Sequence, residues 1–315
     1  MAYTSRSILE GLQDRFVPQN LQERAELLAK FTISPAIVFL IIFIFLPVLY
    51  TVYLSFTDAN IISPTEQLIG IEQYASLVTM DRFYASLWKG ILFTGGSLVI
   101  QLGIGLLVAL VLRKKFFGSS LARTLAIFPY LVPTISVAIM WEWLLTPPSG
   151  MVNYYLVELG LLNEYISFFG NADFAMLVLI VANSWKFTAF VVVIFIARLQ
   201  AIPDSMYESA WIAGASPLQT FRDVTLPQLR SAFLLVLLLR GIWQFNKFDI
   251  VFLLTRGGPV NATETLPVLL YKTAFQRFDL GLAAAMAVAM FLITASVSIL
   301  YFYYLRPSEE IKTSR

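Results

Sequence analysis

Long apolar stretches separated by short polar ones dominate the chain from residue 31 to residue 305. A transmembrane helix needs about 20 consecutive apolar residues, and six stretches reach that length. Prolines inside these stretches are compatible with membrane helices, where neighbouring groups satisfy the freed backbone. The pattern predicts an all-α integral membrane protein whose six transmembrane helices lie near Phe31–Phe56, Ser86–Leu112, Leu121–Leu145, Phe174–Ala197, Ala232–Leu254 and Gly281–Leu305.

Composition supports this class and removes several others. The 315 residues are 58% hydrophobic and 13% charged, whereas soluble domains carry about 25% charged residues. The chain has no His and no Cys, so it lacks the most common general base, thiolate metal ligands and disulfides. We therefore expect no enzyme, no catalytic residue and no metal site. The net charge of +2 gives no indication of a nucleic-acid partner, and membrane lipid is the expected surrounding.

The distribution of Lys and Arg predicts the orientation. Fourteen of these residues lie in segments on one side of the six helices and five on the other. The positive-inside rule then places both termini in the cytoplasm, with the chain in the cytoplasmic membrane. We divide the chain into a partly helical leader (1–30), a permease domain (31–305) and a tail (306–315). The first apolar stretch is too long for a cleaved signal peptide, and the leader is predicted to lie on the membrane surface or in solvent.

The polar segment between the fourth and fifth helices, residues 198–230, contains several residues typical of helix starts and helix ends. Ser205 to Glu208 and Ser216 to Gln219 both fit a capping box, and Gly214 stands where a helix would terminate. Pro227 follows before the next apolar stretch. The pattern predicts two short helices joined by a glycine elbow at the cytoplasmic surface. Such a unit is either a docking element for a partner or an ordinary loop that folds onto the lipid headgroups.

The same segment carries a motif of a known family. The stretch ESAWIAGASPLQTFRDVTLPQLRSAF, residues 208–233, resembles the EAA motif of bacterial ABC-importer permeases. Glu208, Ala210 and Gly214 match the Glu, the second Ala and the Gly of that motif, whereas Ser209 replaces its first Ala. The resemblance implies a type I importer permease fold in which this loop is a coupling helix seated on a cytoplasmic ATPase. The implied coupling residues are Glu208, Ser209, Ala210, Trp211, Gly214 and Phe221.

Two further stretches are similar to the carbohydrate branch of these permeases, which includes maltose-permease-like and glycerol-phosphate-permease-like subunits. They are FPYLVPTISVAIMWEWL (128–144) and FDIVFLLTRGGPVNATETLPVLLYKTAF (248–275). The chain contains no GxxxxGK[ST] loop, so ATP and Mg are expected on a separate ATPase dimer and no cofactor on this chain. The resemblance also implies a second homologous permease subunit and an extracytoplasmic sugar-binding protein.

Polar residues at bilayer depth are costly and commonly face a cavity or one another. In the fifth helix Arg240, Gln244 and Lys247 recur at helical spacing beside Trp243. An aromatic ring can cover the apolar face of a sugar while amide and cationic donors bind its hydroxyls. The alternative is that Arg240, Lys247, Lys186 and Asp249 form buried pairs that hold the helices together.

The resemblance to maltose permease also assigns sugar-contacting positions. They fall on Tyr130 and Thr134 of the third helix, on Asn183, Phe187 and Phe190 of the fourth, and on Trp243, Gln244 and Lys247 of the fifth. Phe187 and Lys247 replace small or amide residues of the maltose site, which makes maltose itself an unsuitable solute. A di- or oligosaccharide, an acidic sugar, glycerol phosphate or another small polar solute remain open.

A different class of function is an ion-coupled secondary transporter. That class would need repeated halves, broken helices and a membrane carboxylate. Asp249 is the one candidate carboxylate that the sequence offers well inside a predicted helix, and no internal repeat is visible. An ABC permease for amino acids fits the sequence less well, because the GGP and TETL stretch is typical of the carbohydrate branch.

Overall fold

The computed structural model describes residues 21–62, 66–114 and 116–305. Among these residues five helices are long and apolar enough to cross a membrane, and a bent helix pair supplies a sixth span. The predicted all-α membrane architecture is confirmed. The tail at 306–315 and the first 20 residues of the leader lie outside the described residues.

The described helices follow one another along the chain with short connections. They are α1 Leu21–Leu40, α2 Leu46–Leu54, α3 Glu72–Val78, α4 Asp81–Leu112, α5 Ser119–Leu131, α6 Thr134–Leu145, α7 Met151–Glu158, α8 Ala172–Gln200, α9 Asp204–Ile212, α10 Pro217–Thr220, α11 Leu226–Phe245, α12 Asp249–Thr255, α13 Leu266–Phe275 and α14 Leu280–Leu305. Two π-helical turns, Ile41–Phe45 and Phe221–Thr225, join α1 to α2 and α10 to α11.

Both π-helical turns directly precede a Leu-Pro pair. In each turn the leucine N–H, of Leu46 or Leu226, bonds to the carbonyl five residues back. The following proline, Pro47 or Pro227, has no N–H, and its ring displaces the carbonyl of the preceding turn. The wider turn absorbs this conflict without breaking the helix. Proline is therefore accommodated inside a continuous span at both places.

The first span is one helical run from α1 through α2. Its side chains from Lys30 to Tyr50 are all exposed in the single chain. The segment Leu21–Lys30 is helical and continues directly into this span. Its position on the membrane surface or in solvent stays a prediction. Good helix formers such as Leu, Glu and Ala carry the helix across the predicted boundary.

The third predicted span is not one straight helix. It consists of α5 and α6, whose axes are bent by 97° at Val132 and Pro133. Proline cannot donate a backbone hydrogen bond, and it also pushes the preceding residue to an extended conformation, as seen at Val132. The prediction of an uninterrupted helix over Leu121–Leu145 is therefore wrong.

The fifth predicted span, Ala232–Leu254, has wrong bounds at both ends. The helical run begins at Pro217, inside the predicted coupling loop, and ends at Phe245. Residues 246–248 then interrupt the helix before α12 begins at Asp249. Asn246 ends α11 with its side-chain amide bonded back to the Ile242 carbonyl at 2.9 Å, which explains the interruption.

Helix α8 lies at the centre of the bundle and has the most deeply buried span. It packs along α4, where glycine allows close approach. A Cβ placed on Gly105 would come within 2.7 Å of Val191 Cγ1. Small residues at such crossings are the usual means by which membrane helices gain van der Waals contact. The α4–α8 pair is the scaffold on which the functional residues are arranged.

Candidate functional site

The segment between α8 and α11 contains the first candidate site. Helix α9 begins at Asp204 after Pro203, so Ser205 already lies inside the helix. No side-chain cap bond forms at its start, and Ser205 instead accepts a hydrogen bond at its carbonyl from Ser209 Oγ at 2.8 Å. The predicted capping box at Ser205 to Glu208 is therefore wrong, because the helix start is fixed at Pro203, two residues before the predicted N-cap.

The second half of the segment has the predicted glycine turn and capping box. Gly214 adopts φ +76, in the left-handed region that glycine enters without steric cost. Ser216 Oγ accepts from the Gln219 N–H, and Gln219 Oε1 accepts from the Ser216 N–H at 2.7 Å. The capping box at Ser216 is confirmed. The helix it opens is not an isolated short one, however, because it runs through the second π-helical turn into α11.

The solvent face of this segment presents the predicted coupling residues. Glu208, Ser209, Trp211 and Gly214 are exposed, and Ala210 and Phe221 are half-buried. Large apolar side chains are exposed nearby: Trp211, Ile212 and Leu218 are 67%, 89% and 76% exposed. Exposed apolar groups of this size, clustered in one polar segment, are typical of a surface that another protein covers.

The inner face of the segment is fixed to the membrane helices through Tyr207. This side chain is buried, and its hydroxyl lies 3.2 Å from Thr225 Oγ1 in the second π-helical turn. The Arg113 guanidinium, just beyond the end of α4, lies 4.0 Å from the centre of the Tyr207 ring. One side chain thus connects α9, the start of the fifth span and the end of the second span.

A second candidate site forms inside the bundle from aromatic side chains of three elements. Tyr130 of α5 and Phe187 of α8 have ring centres 6.0 Å apart in an edge-on arrangement. Phe190 of α8 and Trp243 of α11 form another edge-on pair with ring centres at 5.2 Å. The break at 246–248 brings Lys247 Nζ to within 4.4 Å of the Phe187 ring centre. Five of the predicted substrate-binding residues therefore come together.

Arg240 of α11 connects the two aromatic pairs. Its guanidinium carbon lies 4.5 Å from the ring centre of Phe187, 6.0 Å from that of Phe190 and 5.9 Å from that of Trp243. Its Nε donates to Gln101 Oε1 of α4 at 3.0 Å. Because α11 ends at Phe245, Lys247 is not on the helical face of Arg240 and Gln244 that the spacing predicted. Lys247 approaches the same ring from beyond the helix end.

The other three predicted substrate-binding residues lie elsewhere. Asn183 is fully buried and donates to Ser97 Oγ of α4 at 3.1 Å, so its amide nitrogen faces the α4–α8 contact. Gln244 is also buried, and neither atom of its amide has a partner among the described residues. Thr134 is half-buried at the start of α6, after the bend.

The charged residues of the spans are only partly paired with one another. Lys247 Nζ and Asp249 Oδ1 lie 3.0 Å apart, so the one candidate carboxylate for ion coupling is in an ion pair. Lys186 donates to the backbone carbonyls of Val132 and Tyr130 at the bend between α5 and α6. The end of α5 at Val132 leaves its last carbonyls without intrahelical donors, and the ammonium group bonds two carbonyls at this end.

A third cluster, which sequence reasoning missed, joins α4 to the loop before α13. Glu264 is fully buried and accepts two hydrogen bonds from Arg82, at 2.6 and 2.7 Å, and one from Lys272 Nζ at 2.7 Å. Burial acts to raise the pKa of the Glu264 carboxyl, but the hydrogen bonds and charges of the two cations outweigh it and hold that pKa below its usual value. These hydrogen bonds hold the loop before α13 against α4.

Gln101 and Ser97 of α4 were also missed, although a signal was present. Both are polar residues in an otherwise apolar membrane stretch, a placement that by itself indicates a buried role. The contacts of Tyr207, by contrast, join residues 18 and 94 positions apart. No local pattern could have indicated those.

Comparison with known proteins places the chain in a family. Residues 101–306 match the family model described as binding-protein-dependent transport system inner membrane component. The trehalose/maltose transport system permease protein MalF of Thermococcus litoralis is 30% identical over 91% of this chain and 97% of its own length. The sulfoquinovosyl glycerol transport system permease protein SmoG of Agrobacterium fabrum is 30% identical over 90% of this chain and 92% of its own.

Solved structures agree on the fold. A crystal structure of a bacterial ABC transporter involved in the import of the acidic polysaccharide alginate contains a chain that superposes with a TM-score of 0.79, at 20% identity. The match covers 89% of this chain and 95% of that one. The family match covers more than half of the chain, and it includes the spans that hold both candidate sites. The chain therefore belongs to the binding-protein-dependent transport system inner membrane components, which are multi-pass permease subunits of ABC transporters and not enzymes.

Proposed function

We propose that this permease forms half of the translocation pathway of a sugar importer. The observation that carries the proposal is the set of aromatic rings that α5, α8 and α11 bring together beside cationic side chains. Trp243 is 44% exposed and Tyr130 is 41% exposed, so both rings are available to cover the apolar face of a sugar ring. The names of the relatives, a trehalose/maltose permease and a sulfoquinovosyl glycerol permease, support a sugar as the solute.

Trp243 also lines an open cleft of about 460 Å³ at the break after α11. The cleft is bordered by Ile242, Trp243, Asn246, Lys247, Phe248 and Asp249. Its volume falls in the range of about 300–1,000 Å³ that small-molecule sites occupy. Amide, ammonium and carboxylate groups at its border can bind sugar hydroxyls, while the indole ring supplies the stacking face. The residues proposed to contact the solute are Tyr130, Phe187, Phe190, Trp243 and Lys247.

The energy for transport comes from a separate ATPase dimer that docks on the segment from Glu208 to Phe221. The exposed apolar side chains Trp211, Ile212 and Leu218 support this docking, since they have no cover in the single chain. Movement of the docked ATPase is passed through Tyr207 to the ends of the second and fifth spans, and the bundle alternates between outward and inward access. A second homologous permease covers the open side of the aromatic group, and an extracytoplasmic sugar-binding protein delivers the solute. Both termini face the cytoplasm.

Co-purification tests the docking proposal. The tagged chain is extracted in mild detergent from its native host, and bound proteins are identified by mass spectrometry. We expect an ATPase subunit and a second permease with the wild type, and loss of the ATPase when Glu208→Ala and Gly214→Val are combined. An Asp223→Asn variant serves as a control, since Asp223 is exposed outside the proposed docking residues. Retention of the ATPase by the double variant would contradict the proposed docking site.

A further inference from the structure

Three cationic side chains surround one aromatic ring within the bundle. The charged groups of Arg240, Lys247 and Lys186 lie 4.5, 4.4 and 5.5 Å from the ring centre of Phe187. An aromatic face attracts a cation, but it carries no charge of its own. The Phe187 ring therefore contacts all three cationic groups, but it does not neutralise their charge.

Two of these cations have strong partners nearby. Lys247 forms the 3.0 Å ion pair with Asp249, and Lys186 donates to the carbonyls that the bend at Pro133 leaves free. Arg240 differs from both. Its Nε bonds to the neutral amide oxygen of Gln101. Among the described residues its Nη2 has no hydrogen-bond partner, and no ion pair includes it.

Arg240 is also the most deeply buried of the three. It is 2% exposed, at a depth where α11 crosses the apolar part of the bundle. Removing a guanidinium from water is unfavourable unless an opposite charge and hydrogen bonds replace the lost hydration. With three cations and one carboxylate, the described cluster carries a net charge of +2. Such a cluster favours a bound anion over a neutral molecule of the same shape.

The cluster is reachable from the open cleft beside Trp243. Lys247 forms part of the cleft border and also contacts Phe187, the ring that Arg240 contacts as well. A negative group held by Lys247 in the cleft is therefore within reach of the Arg240 charge, because both cationic groups lie within 4.5 Å of the same ring centre. A neutral sugar would gain hydrogen bonds at this place, but it would leave the positive charge uncompensated.

We propose that the solute of this permease is a sugar bearing an anionic group, a carboxylate, sulfonate or phosphate, which binds at Lys247 and is favoured by the buried charge of Arg240. This inference rests on the proposed function, since it specifies the class of sugar for the same site. Lys247 is the direct partner, and the anion shares it with Asp249. Arg240 is a positioning residue that orders the Phe187 ring and raises the local positive potential.

Matched sugar pairs test the inference. The probes are galacturonate against galactose, glucose 6-phosphate against glucose, and 6-deoxy-6-sulfoglucose against glucose, each pair differing at one substituent. Binding to the purified full-length permease in complex with its co-purified partners, without the binding protein, is measured by saturation-transfer difference NMR. We expect at least one anionic probe to bind about tenfold more tightly than its neutral counterpart.

Variants assign the preference to the cluster. Lys247→Gln and Arg240→Gln should each reduce the anionic preference about tenfold, whereas Arg240→Lys, which keeps the charge, should retain it. Lys89→Gln removes a charge from α4 outside the cluster and should change nothing. Gel filtration shows whether each variant still assembles into the complex. If Arg240→Gln does not assemble, the result for Lys247→Gln alone tests the anionic preference.

The outcomes separate the two proposals. Equal binding of neutral and anionic probes would overturn the anionic inference and leave the sugar-importer function standing. An anionic preference that survives in Lys247→Gln would also overturn it. Binding of no sugar, neutral or anionic, would count against both the inference and the proposed function.

Discussion

The guanidinium of Arg113 lies 4.0 Å from the ring centre of Tyr207, which joins the end of the second span to helix α9. The hydroxyl of the same tyrosine lies 3.2 Å from Thr225 Oγ1. A cation–π contact at a buried ring contributes about 2 kcal/mol, and the hydroxyl bond contributes about 1 kcal/mol. If α9 is the docking element that we propose, a force on it would reach two membrane spans through Tyr207.

We predict that Tyr207→Leu reduces ATP-driven uptake about tenfold in proteoliposomes, because it removes both contacts while keeping an apolar side chain. Tyr207→Phe should retain most of the uptake, because the ring still faces Arg113 and the loss is about 1 kcal/mol. Membrane insertion should be normal in both variants. Full uptake by the leucine variant would refute the role of Tyr207 in coupling.

Gly214 offers a test of what the coupling segment needs. A Cβ at this position would meet nothing within 4 Å in the single chain, so within the chain the constraint is its φ of +76. Asparagine tolerates this conformation, whereas valine is strained there by about 1–2 kcal/mol. We predict that Gly214→Val and Gly214→Asn both lose ATPase co-purification, because a docked partner needs the space.

The pair of variants at position 214 distinguishes backbone conformation from partner packing. If Gly214→Asn copies the wild type and Gly214→Val does not, the glycine serves the turn alone and the ATPase does not pack against it. Circular dichroism and gel filtration of both variants confirm that the bundle is intact before the comparison is made.

Trp243 is predicted to be the stacking face for the sugar. Trp243→Ala should weaken binding of the best-bound probe by about tenfold, whereas Trp243→Phe, which keeps an aromatic ring, should weaken it much less. Saturation-transfer NMR on the purified complex gives both values. Trp88, which is 64% exposed on α4 near its beginning, supplies the control variant Trp88→Ala. Unchanged binding by Trp243→Ala would place the sugar site elsewhere.

The buried carboxylate of Glu264 is predicted to make stability depend on pH on the acid side. Its pKa is lowered in the folded protein, so its contribution is complete above the usual pKa of Glu, about 4.3, and is lost as the pH falls through the lower folded value. Glu264→Gln leaves Arg82 and Lys272 without a negative partner and should cost about 2–4 kcal/mol at neutral pH.

Thermal unfolding of the purified chain between pH 3 and pH 7 measures this effect. The wild type should lose stability below about pH 4, and the difference between wild type and Glu264→Gln should shrink there. Asp223→Asn disrupts an exposed pair in which the charged atoms are 3.8 Å apart, so its unfolding temperature should match the wild type. A constant difference across the pH range would exclude the cluster as its source.

Close approach of α4 and α8 at Gly105 predicts a large effect from a single methyl group. Gly105→Ala places a Cβ 2.7 Å from Val191 Cγ1 and 2.9 Å from its Cβ, which should cost about 1–3 kcal/mol. Gly103 lies two residues away on the same helix, and a Cβ there meets nothing within 4 Å. Gly103→Ala should be neutral or slightly stabilising in the same thermal unfolding assay.

Sequence patterns were sufficient for the features that depend on apolar length and local capping. They predicted the six-span architecture from apolar length, and they located the glycine turn at Gly214 and the capping box at Ser216 from a few consecutive residues. They failed where tertiary packing or a proline determines where a helix bends or ends. The bend at Pro133 was treated as a tolerated proline, and the interruption after Phe245 was missed because the apolar run continues through it.

Helical spacing singled out Trp243 and Lys247 of the candidate solute site. Tyr130, Phe187 and Phe190 followed only from the resemblance to maltose permease. The position of Lys247 could not be predicted, since its approach to Phe187 depends on the helix ending at Phe245. The Glu264 cluster joins residues 182 positions apart, and no periodicity connects them.

The π-helical turn at Phe221–Thr225 holds one more residue than an α-helical turn would, and it lies between helix α10 and the polar side chains of α11. An α-helix advances about 1.5 Å and 100° per residue. If that extra residue were drawn into regular helix, everything beyond it would turn by about 100° and shift by about 1.5 Å along the axis. A small displacement of α9 and α10 would then become a screw motion that moves Arg240 and Trp243 together.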